Sequence, residues 1–253
     1  MIKVVLLGSG NVAYHLALAL KKAARISVVQ RYSRTGRNDE VFDPNIPVTH
    51  NLKDLKEADI YIIAVKDSAI HSLSAQLNTI DGLVVHTSGS IPLTHLSEGL
   101  RRGVLYPAQS LTLKQSVDFD EIPLVIEAES NHDQTLLQNI ASTLSKKVYS
   151  LNSLQREKLH ISAIFANNFS NYMFTCAESI CKEADIPFDI LKPIILETGK
   201  KIQQLDPLEA QTGPARRNDQ LIIEKHLKDL DGDKKSIYKT ISNAITNTYT
   251  KND

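Results

Sequence analysis

Two glycines near the start of the chain have the spacing that dinucleotide phosphates require. The sequence Gly8-Ser9-Gly10-Asn11-Val12-Ala13 follows a short apolar run, and helical apolar spacing begins at Val12. Gly8 lets the chain turn sharply after a strand, Gly10 leaves room for a pyrophosphate beside the backbone, and Ala13 permits close packing of helix on strand. We therefore predict that residues 8–12 bind a dinucleotide. The alternative is an ordinary tight turn before a helix.

A hydroxyl and a guanidinium follow the second predicted strand, residues 26–32, where such a fold holds the adenosine ribose. The residues are Ser33, Arg34 and Thr35, and no carboxylate stands among them. A ribose hydroxyl of NAD is usually held by an acidic residue at this distance, whereas a hydroxyl and a guanidinium suit a 2′-phosphate. Ser33 and Arg34 therefore predict NADP(H) as the cofactor. The alternative is a solvated basic loop.

Three polar side chains share one face of a long apolar helical segment in the second half of the chain. His160, Asn167 and Asn171 are separated by offsets of 7 and 11 residues from the first, which places them within about 40° on an α-helix. A histidine so placed could supply a proton, and an amide could orient a carbonyl group. We predict these three as catalytic residues. A buried hydrogen-bond network that only stabilises the helix would explain the same pattern.

A second polar cluster lies where a glycine turn precedes a helix. Gly213 and Pro214 form the turn, and Arg216 and Arg217 follow near the helix N-terminus. Two guanidinium groups at this place could hold a carboxylate or phosphate of a substrate. We predict Arg216 and Arg217 as substrate-binding residues, the alternative being two solvated arginines at a helix start.

Residues at the carboxyl ends of two further strands complete the predicted cofactor site. Ala64 and Val65 end one strand, and His86 ends the next, with Ser88 in the loop beyond it. Ligands of open parallel sheets bind along this edge. The four residues are predicted to contact the cofactor, although a hydrogen-bonded loop histidine explains His86 equally well.

Composition and spacing exclude several other classes of function. The chain of 253 residues holds 29 basic and 29 acidic residues without long blocks of one sign, so we expect no nucleic acid or membrane partner. The eight histidines lack metal-ligand spacing, and we predict no metal. Cys176 and Cys181 indicate reduced thiols, and the absence of a signal peptide or long apolar run predicts a soluble, cytoplasmic protein.

The elements that must position these residues form two predicted domains. Residues 1–150 alternate strands with helices, which predicts an α/β domain with a doubly wound parallel Rossmann sheet. Residues 151–253 show only helical spacing and predict a smaller all-helical domain for substrate binding and dimerisation. Residues 154–184 are apolar around most of the circumference, which predicts a long central helix buried among the others.

Four segments carry a resemblance to known proteins, and they are His86 to Ser90, Tyr106 to Thr112, Phe165 to Asn171 and Gln211 to Asp219. With the glycine motif, they resemble a bacterial family labelled as NADP oxidoreductases, whose C-terminal domain has no assigned function. The chain also resembles the superfamily of pyrroline-5-carboxylate reductase, 3-hydroxyisobutyrate dehydrogenase and 6-phosphogluconate dehydrogenase. This resemblance implies a Rossmann domain, a helical domain that builds a homodimer, and a substrate cleft between the two.

One departure from that superfamily bears on mechanism. Its hydroxyacid dehydrogenases place a catalytic lysine one turn before an asparagine, but Ala163 and Ile164 stand four residues before Asn167 and Asn168. His160 is the substitute on geometric grounds. The leading hypothesis is therefore an NADPH-dependent reductase of a small anionic carbonyl or imine compound. Two alternatives stay open, a dinucleotide-binding sensor or interaction module without turnover and, ranked last, a protein that exchanges hydride between NADP and a deazaflavin or flavin.

Overall fold

The computed structural model describes residues 1–250, which divide into two compact units. The first unit comprises Met1–Asn168, and the second begins at Phe169. The division falls inside the long helical segment, whereas the sequence places a boundary at residue 150, at the end of the last strand.

The first unit is built on one sheet of eight strands. They are β1 (Ile2–Leu7), β2 (Ile26–Tyr32), β3 (Val48–Thr49), β4 (Ile60–Ile63), β5 (Leu83–His86), β6 (Arg102–Pro107), β7 (Leu124–Ala128) and β8 (Val148–Ser150). Their spatial order is β3-β2-β1-β4-β5-β6-β7-β8. Only the β6–β7 pair is antiparallel among these neighbours. The predicted doubly wound sheet is thus confirmed, with one reversal, and β3 is a strand that the turn-rich sequence around it did not indicate.

Helices cover both faces of this sheet. They are α1 (Asn11–Lys22), α2 (Ile70–Ser74), α3 (Asn131–Leu144) and α4 (Ser153–Ala163). One face packs Val4, Leu6, Ile60 and Ile62 against α1 and α3, and the other packs Val5, Leu7, Tyr61 and Ile63 against α2. The central strands β4 and β5 are buried along their whole length because both faces are covered.

The register of the sheet brings the predicted site residues to one edge. Leu7, the last residue of β1, pairs with Tyr32 of β2 and Ile63 of β4, and Ile63 in turn pairs with His86 of β5. The glycine turn and the loops that follow β2, β4 and β5 therefore begin side by side. Strand order changes direction between β1 and β4, which is where doubly wound folds bind ligands.

The second unit is helical. It contains α5 (Ser170–Glu183), α6 (Lys192–Lys201), α7 (Pro207–Ala210), α8 (Gln220–Asp229) and α9 (Gly232–Thr250). Of residues 169–250, only four are buried, and these are Cys181, Ala215, Ile223 and Ser242. The prediction of a central helix buried among others is wrong for the single chain, because large apolar side chains of this segment, such as Phe165 and Tyr172, are half exposed or more.

A π-helical turn, Ile164–Phe169, lies between α4 and α5. Such turns hold more residues per turn than an α-helix and often occur at functional sites. No helix within residues 1–250 is both long enough and apolar enough to cross a membrane.

Candidate functional site at the carboxyl edge of the sheet

The first glycine of the motif is required by the packing of β1 against β4. Gly8 has φ +142°, and a Cβ added to it would lie 2.1 Å from the carbonyl oxygen of Ala64. The amide of Gly8 donates to Tyr32, and the amide of Ala64 donates to Leu7. Gly8 and the buried Ala64 therefore fix the close approach of two strand ends, and the half-buried Val65 follows on the same edge.

The second glycine faces open space. No atom of the described residues lies within 4 Å of a Cβ built on Gly10, and its φ of −89° suits any residue. Gly10 is the N-cap of α1, and no side chain from residues 1–250 caps it. The first turn of α1 also carries no acidic residue. The N-terminal amides of this helix of 12 residues are therefore available to an anion, which fits a pyrophosphate.

Three side chains hold the surroundings of this turn in place. Asn11 donates through Nδ2 to the carbonyl oxygen of Leu111 at 2.8 Å, and Nε2 of His15 lies 2.8 Å from the carbonyl oxygen of Thr112. Asn38 donates to the carbonyl oxygen of Ser9 at 3.0 Å. The glycine turn is thus tied to the loop after β6 and to the loop after β2.

The residues predicted for the 2′-phosphate lie at the end of β2. Ser33 is buried, and its Oγ has no hydrogen-bond partner among the described residues. Arg34 is exposed. The neighbouring Arg31 is different, since it is buried, donates to Asp39 at 2.7 Å and stacks over the ring of Phe42 at 4.0 Å. The guanidinium of Arg34 is open to a phosphate, whereas the hydroxyl of Ser33 is enclosed in this structure, so its role toward a phosphate stays a prediction.

A tyrosine and a histidine meet at the far end of this edge. The hydroxyl of Tyr106, the penultimate residue of β6, lies 3.4 Å from Nδ1 of His160 in α4, with the two rings edge to face. A Cβ on Gly89, in the loop after β5, would lie 2.7 Å from Nδ1 of His160 and 2.8 Å from Cζ of Tyr106. The backbone of that loop therefore packs directly on both rings. His160 is half buried.

His86 supports the loop after β5 through a hydrogen bond to its backbone. Its side chain is fully buried, and its Nδ1 accepts the backbone N–H of Ser88 at 3.1 Å. Burial lowers the pKa of His86 to about 4, and the charge of Arg156 acts in the same direction. The neutral ring is enclosed and supports the loop, and the predicted contact between His86 and the cofactor stays a prediction. The Oγ of Ser88 likewise accepts the amides of Ser90 and Ile91 and shapes the loop.

Sequence reasoning missed the arginine that clamps these parts together. Arg156 is fully buried, forms an ion pair with Glu127 of β7 at 2.6 Å, and donates to the carbonyl oxygens of Ser88 and Ile91. Ser153 at the start of α4 also donates to Glu127, at 2.9 Å. The first turn of α4 is therefore fixed to β7 and to the loop after β5. The sequence around Arg156, Ser153 to Ala163, is largely polar, so one further charged residue there gives no signal of burial.

The other predicted catalytic residues are exposed. Asn167 lies in the π-helical turn, and Asn171 lies in α5 of the second unit. Because π turns do not follow the spacing of 3.6 residues, the alignment of His160 with Asn167 calculated from that spacing does not apply across Ile164–Phe169. The catalytic roles of both asparagines stay predictions.

The two predicted substrate-binding arginines differ in their surroundings. Arg216 donates to the carbonyl oxygens of Gln211 at 2.6 Å and Glu209 at 3.4 Å, and it lies 5.0 Å over the ring of Tyr249. These contacts use its guanidinium to hold the preceding loop. Arg217 is exposed, and its role toward a substrate stays a prediction.

Within residues 1–250, no group of three or more His, Cys, Asp or Glu side chains is placed to hold a metal ion. The arrangement at the carboxyl edge offers amides for a pyrophosphate, a guanidinium for a phosphate, and a phenol with an imidazole that could move a proton.

Known proteins resemble this chain in sequence and in fold. Residues 122–245 match the domain of unknown function DUF2520. The crystal structure of a "putative NADP oxidoreductase" from Bacteroides fragilis is 39% identical, with 97% of this chain and 98% of that chain covered and a TM-score of 0.89. No protein of curated function matches the sequence.

Two more distant structures share the fold. An imine reductase from Myxococcus stipitatus, in complex with NADP⁺, is 14% identical over 98% of this chain and 93% of that chain, with a TM-score of 0.66. A pyrroline-5-carboxylate reductase from Streptococcus pyogenes is 14% identical over 97% and 98%, with a TM-score of 0.63. The resemblance indicated by the signature segments is thus confirmed. The chain belongs to the same family as the Bacteroides fragilis protein and carries the DUF2520 domain over its second half.

Proposed function

We propose that the protein is an NADP(H)-dependent oxidoreductase that transfers hydride to a small anionic carbonyl or imine compound. The observation that carries this proposal is the open space over Gly10 at the uncapped N-terminus of α1, on the carboxyl edge of a parallel sheet. Two of the structures that share the fold, the imine reductase with its bound NADP⁺ and the Bacteroides fragilis protein, support the same choice of cofactor.

The residues of this chain would hold the cofactor at two places. Amides of residues 8–12 receive the pyrophosphate, and Ser33 with Arg34 receives the 2′-phosphate. The unpaired Oγ of Ser33 and the exposed side chain of Arg34 support this assignment. When bound, the nicotinamide supplies the hydride. The protein orients the two reactants and supplies the proton from His160.

The choice between NADP(H) and NAD(H) can be tested by fluorescence titration of the wild type with NADPH and NADH. We expect tighter binding of NADPH, and we expect Arg34→Ala to remove most of the difference, because the guanidinium pairs only with the extra phosphate. Lys22→Ala changes an exposed cation at the other end of α1 and serves as the control. Equal affinities for NADPH and NADH in the wild type would refute the role of Ser33 and Arg34.

Turnover can be tested by NADPH oxidation with pyruvate as an α-keto acid and 1-pyrroline-2-carboxylate as a cyclic imine acid. Oxidation with either supports the reductase. Tight binding of NADPH without oxidation by any keto acid or imine would instead favour a dinucleotide-binding sensor, the alternative that the missing lysine leaves open.

We also propose that the helices of the second unit form a homodimer. Large apolar side chains stand exposed on several of these helices, among them Ile194 and Leu196 on α6, Leu208 on α7 and Leu221 on α8, and Leu221 is 82% exposed. Soluble monomers rarely leave so many apolar groups in water. A second copy of the chain offers the same apolar faces and would cover them.

A further inference from the structure

We propose that the phenol of Tyr106 is the group that hands the proton to the substrate, and that His160 returns a proton to it. This inference rests on the proposed reductase function and assigns a role to a residue for which neither the motifs nor the comparisons give one. It divides the proton transfer between two side chains, where the sequence suggested His160 or water.

The position of Tyr106 favours this role. Tyr106 is the penultimate residue of β6, whose Val104 pairs with His86 of β5. It lies where the last of the adjoining parallel strands ends, at the edge where such folds bind ligands. Its side chain is buried, with 9% of its surface exposed, whereas the ring of His86 on the neighbouring strand end has no exposed surface.

The geometry couples Tyr106 to His160 on α4, the helix packed against it. Its hydroxyl lies 3.4 Å from Nδ1 of His160, the ring centroids are 6.1 Å apart, and the planes cross at 74°. Gly89 packs on both rings with no room for a side chain, which keeps other groups out of that side of the pair. A hydroxyl and an imidazole nitrogen so placed can exchange a proton after a small approach.

The charges around Tyr106 suit a proton donor. Burial raises the pKa of Tyr106, so the phenol keeps its proton at neutral pH. The guanidinium of Arg156, fixed by Glu127 and fully buried, lowers the pKa by a smaller amount and would stabilise the phenolate that forms when the proton leaves. Arg156 and His160 are the charged or titratable groups of α4 that face this phenol.

A bound, reduced nicotinamide would supply the hydride to the carbon of the C=O or C=N bond, and the π electron pair of that bond would move to the oxygen or nitrogen. That atom takes the proton of the Tyr106 hydroxyl, and the O–H bond of the phenol breaks. The phenolate then takes a proton from Nδ1 of His160, and solvent replaces that proton. One hydride and one proton are consumed for each alcohol or amine formed.

The test compares Tyr106→Phe, His160→Asn and a matched control, Tyr149→Phe, whose side chain is half exposed on β8. We measure NADPH affinity by fluorescence and NADPH oxidation with pyruvate and with 1-pyrroline-2-carboxylate across pH. We expect Tyr106→Phe to keep NADPH affinity and thermal stability but to lower kcat by about 10²–10⁴-fold. His160→Asn should move the pH profile of kcat, and Tyr149→Phe should behave as the wild type.

A second readout does not depend on turnover. The near-ultraviolet absorbance of tyrosinate, taken as the difference between wild type and Tyr106→Phe, follows the titration of this phenol alone. We expect His160→Asn to shift that titration, and an unchanged curve would overturn the coupling of the two residues. Wild-type kcat in Tyr106→Phe would overturn the proton transfer while leaving the reductase intact, whereas no NADPH oxidation by the wild type overturns the reductase and this proposal together.

Discussion

The two glycines of the motif should respond to substitution in opposite ways. Gly8→Ala places a methyl group 2.1 Å from the carbonyl oxygen of Ala64 and forces alanine to adopt φ +142°. The backbone conformation costs about 1–3 kcal/mol, and the displacement of packed backbone costs about 1–3 kcal/mol more. We therefore expect Gly8→Ala to lower the free energy of unfolding by about 4 kcal/mol, a large part of the total for most domains.

Gly10→Ala provides the matched comparison, because it makes the same chemical change two residues later. Its Cβ would meet no atom of the described chain within 4 Å, and its φ of −89° is ordinary. The loss of glycine at the N-cap should cost at most about 1 kcal/mol. Gly10→Val keeps this small effect on stability but fills the space predicted for the pyrophosphate, so NADPH binding should be lost.

Urea unfolding and NADPH fluorescence titration measure the two effects separately. Each kcal/mol corresponds to roughly 2–4 °C in Tm for a domain of about 150–250 residues, so Gly8→Ala should melt about 8–16 °C lower. If Gly8→Ala unfolds as the wild type does, the strand approach at Ala64 is not the reason for this glycine. If Gly10→Val binds NADPH normally, the space over Gly10 is not the pyrophosphate site.

Three further predictions concern the rest of the chain. Because burial holds the pKa of His86 near 4 against 6.5 for the free side chain, stability present above pH 6.5 should fall by about 3 kcal/mol toward pH 4. The free energy of unfolding in urea, measured from pH 6.5 to pH 4, should depend less on pH in His86→Gln than in the control His132→Gln. Arg156→Met should lose about 3 kcal/mol in urea unfolding, because Glu127 keeps a charge without its partner. If Arg156→Met is as stable as the wild type, the ion pair between Arg156 and Glu127 does not stabilise the fold. Sedimentation equilibrium should give twice the 28.1 kDa of one chain. Leu221→Asp should shift the protein toward monomer, and a wild-type monomer would refute the dimer.

The sequence predicts those features that depend on local pattern. The buried strands β4 and β5 are continuous apolar runs, and Gly8 with Gly10 follows β1 at the spacing that the turn requires. Local pattern does not reveal partners that are distant in the chain. Arg156 is buried because Glu127 lies on a strand that the fold brings beside α4, and nothing near Arg156 in the sequence indicates this pairing.

The burial of His86 and the exposure of the second unit have the same kind of explanation. His86 reads as a polar residue at a strand end, but coverage by the loop after β5 and by Arg156 encloses it. Apolar spacing over residues 154–184 shows that this segment carries many apolar side chains. It does not tell whether other side chains of the same chain cover them, and in the single chain Phe165 is 65% exposed and Tyr172 is 49% exposed.

The reversed strand β7 sets a length scale for whatever binds at the carboxyl edge. Its carboxyl end points to the opposite edge of the sheet, so the run of adjoining parallel strand ends stops at β6 with Tyr106. Ser33, beyond the end of β2, lies four strand positions away, which at about 4.8 Å per strand is about 19 Å. The distance between Ser33 and Tyr106 along this edge therefore selects ligands by length. A mononucleotide that reaches one of these two residues is too short to reach the other.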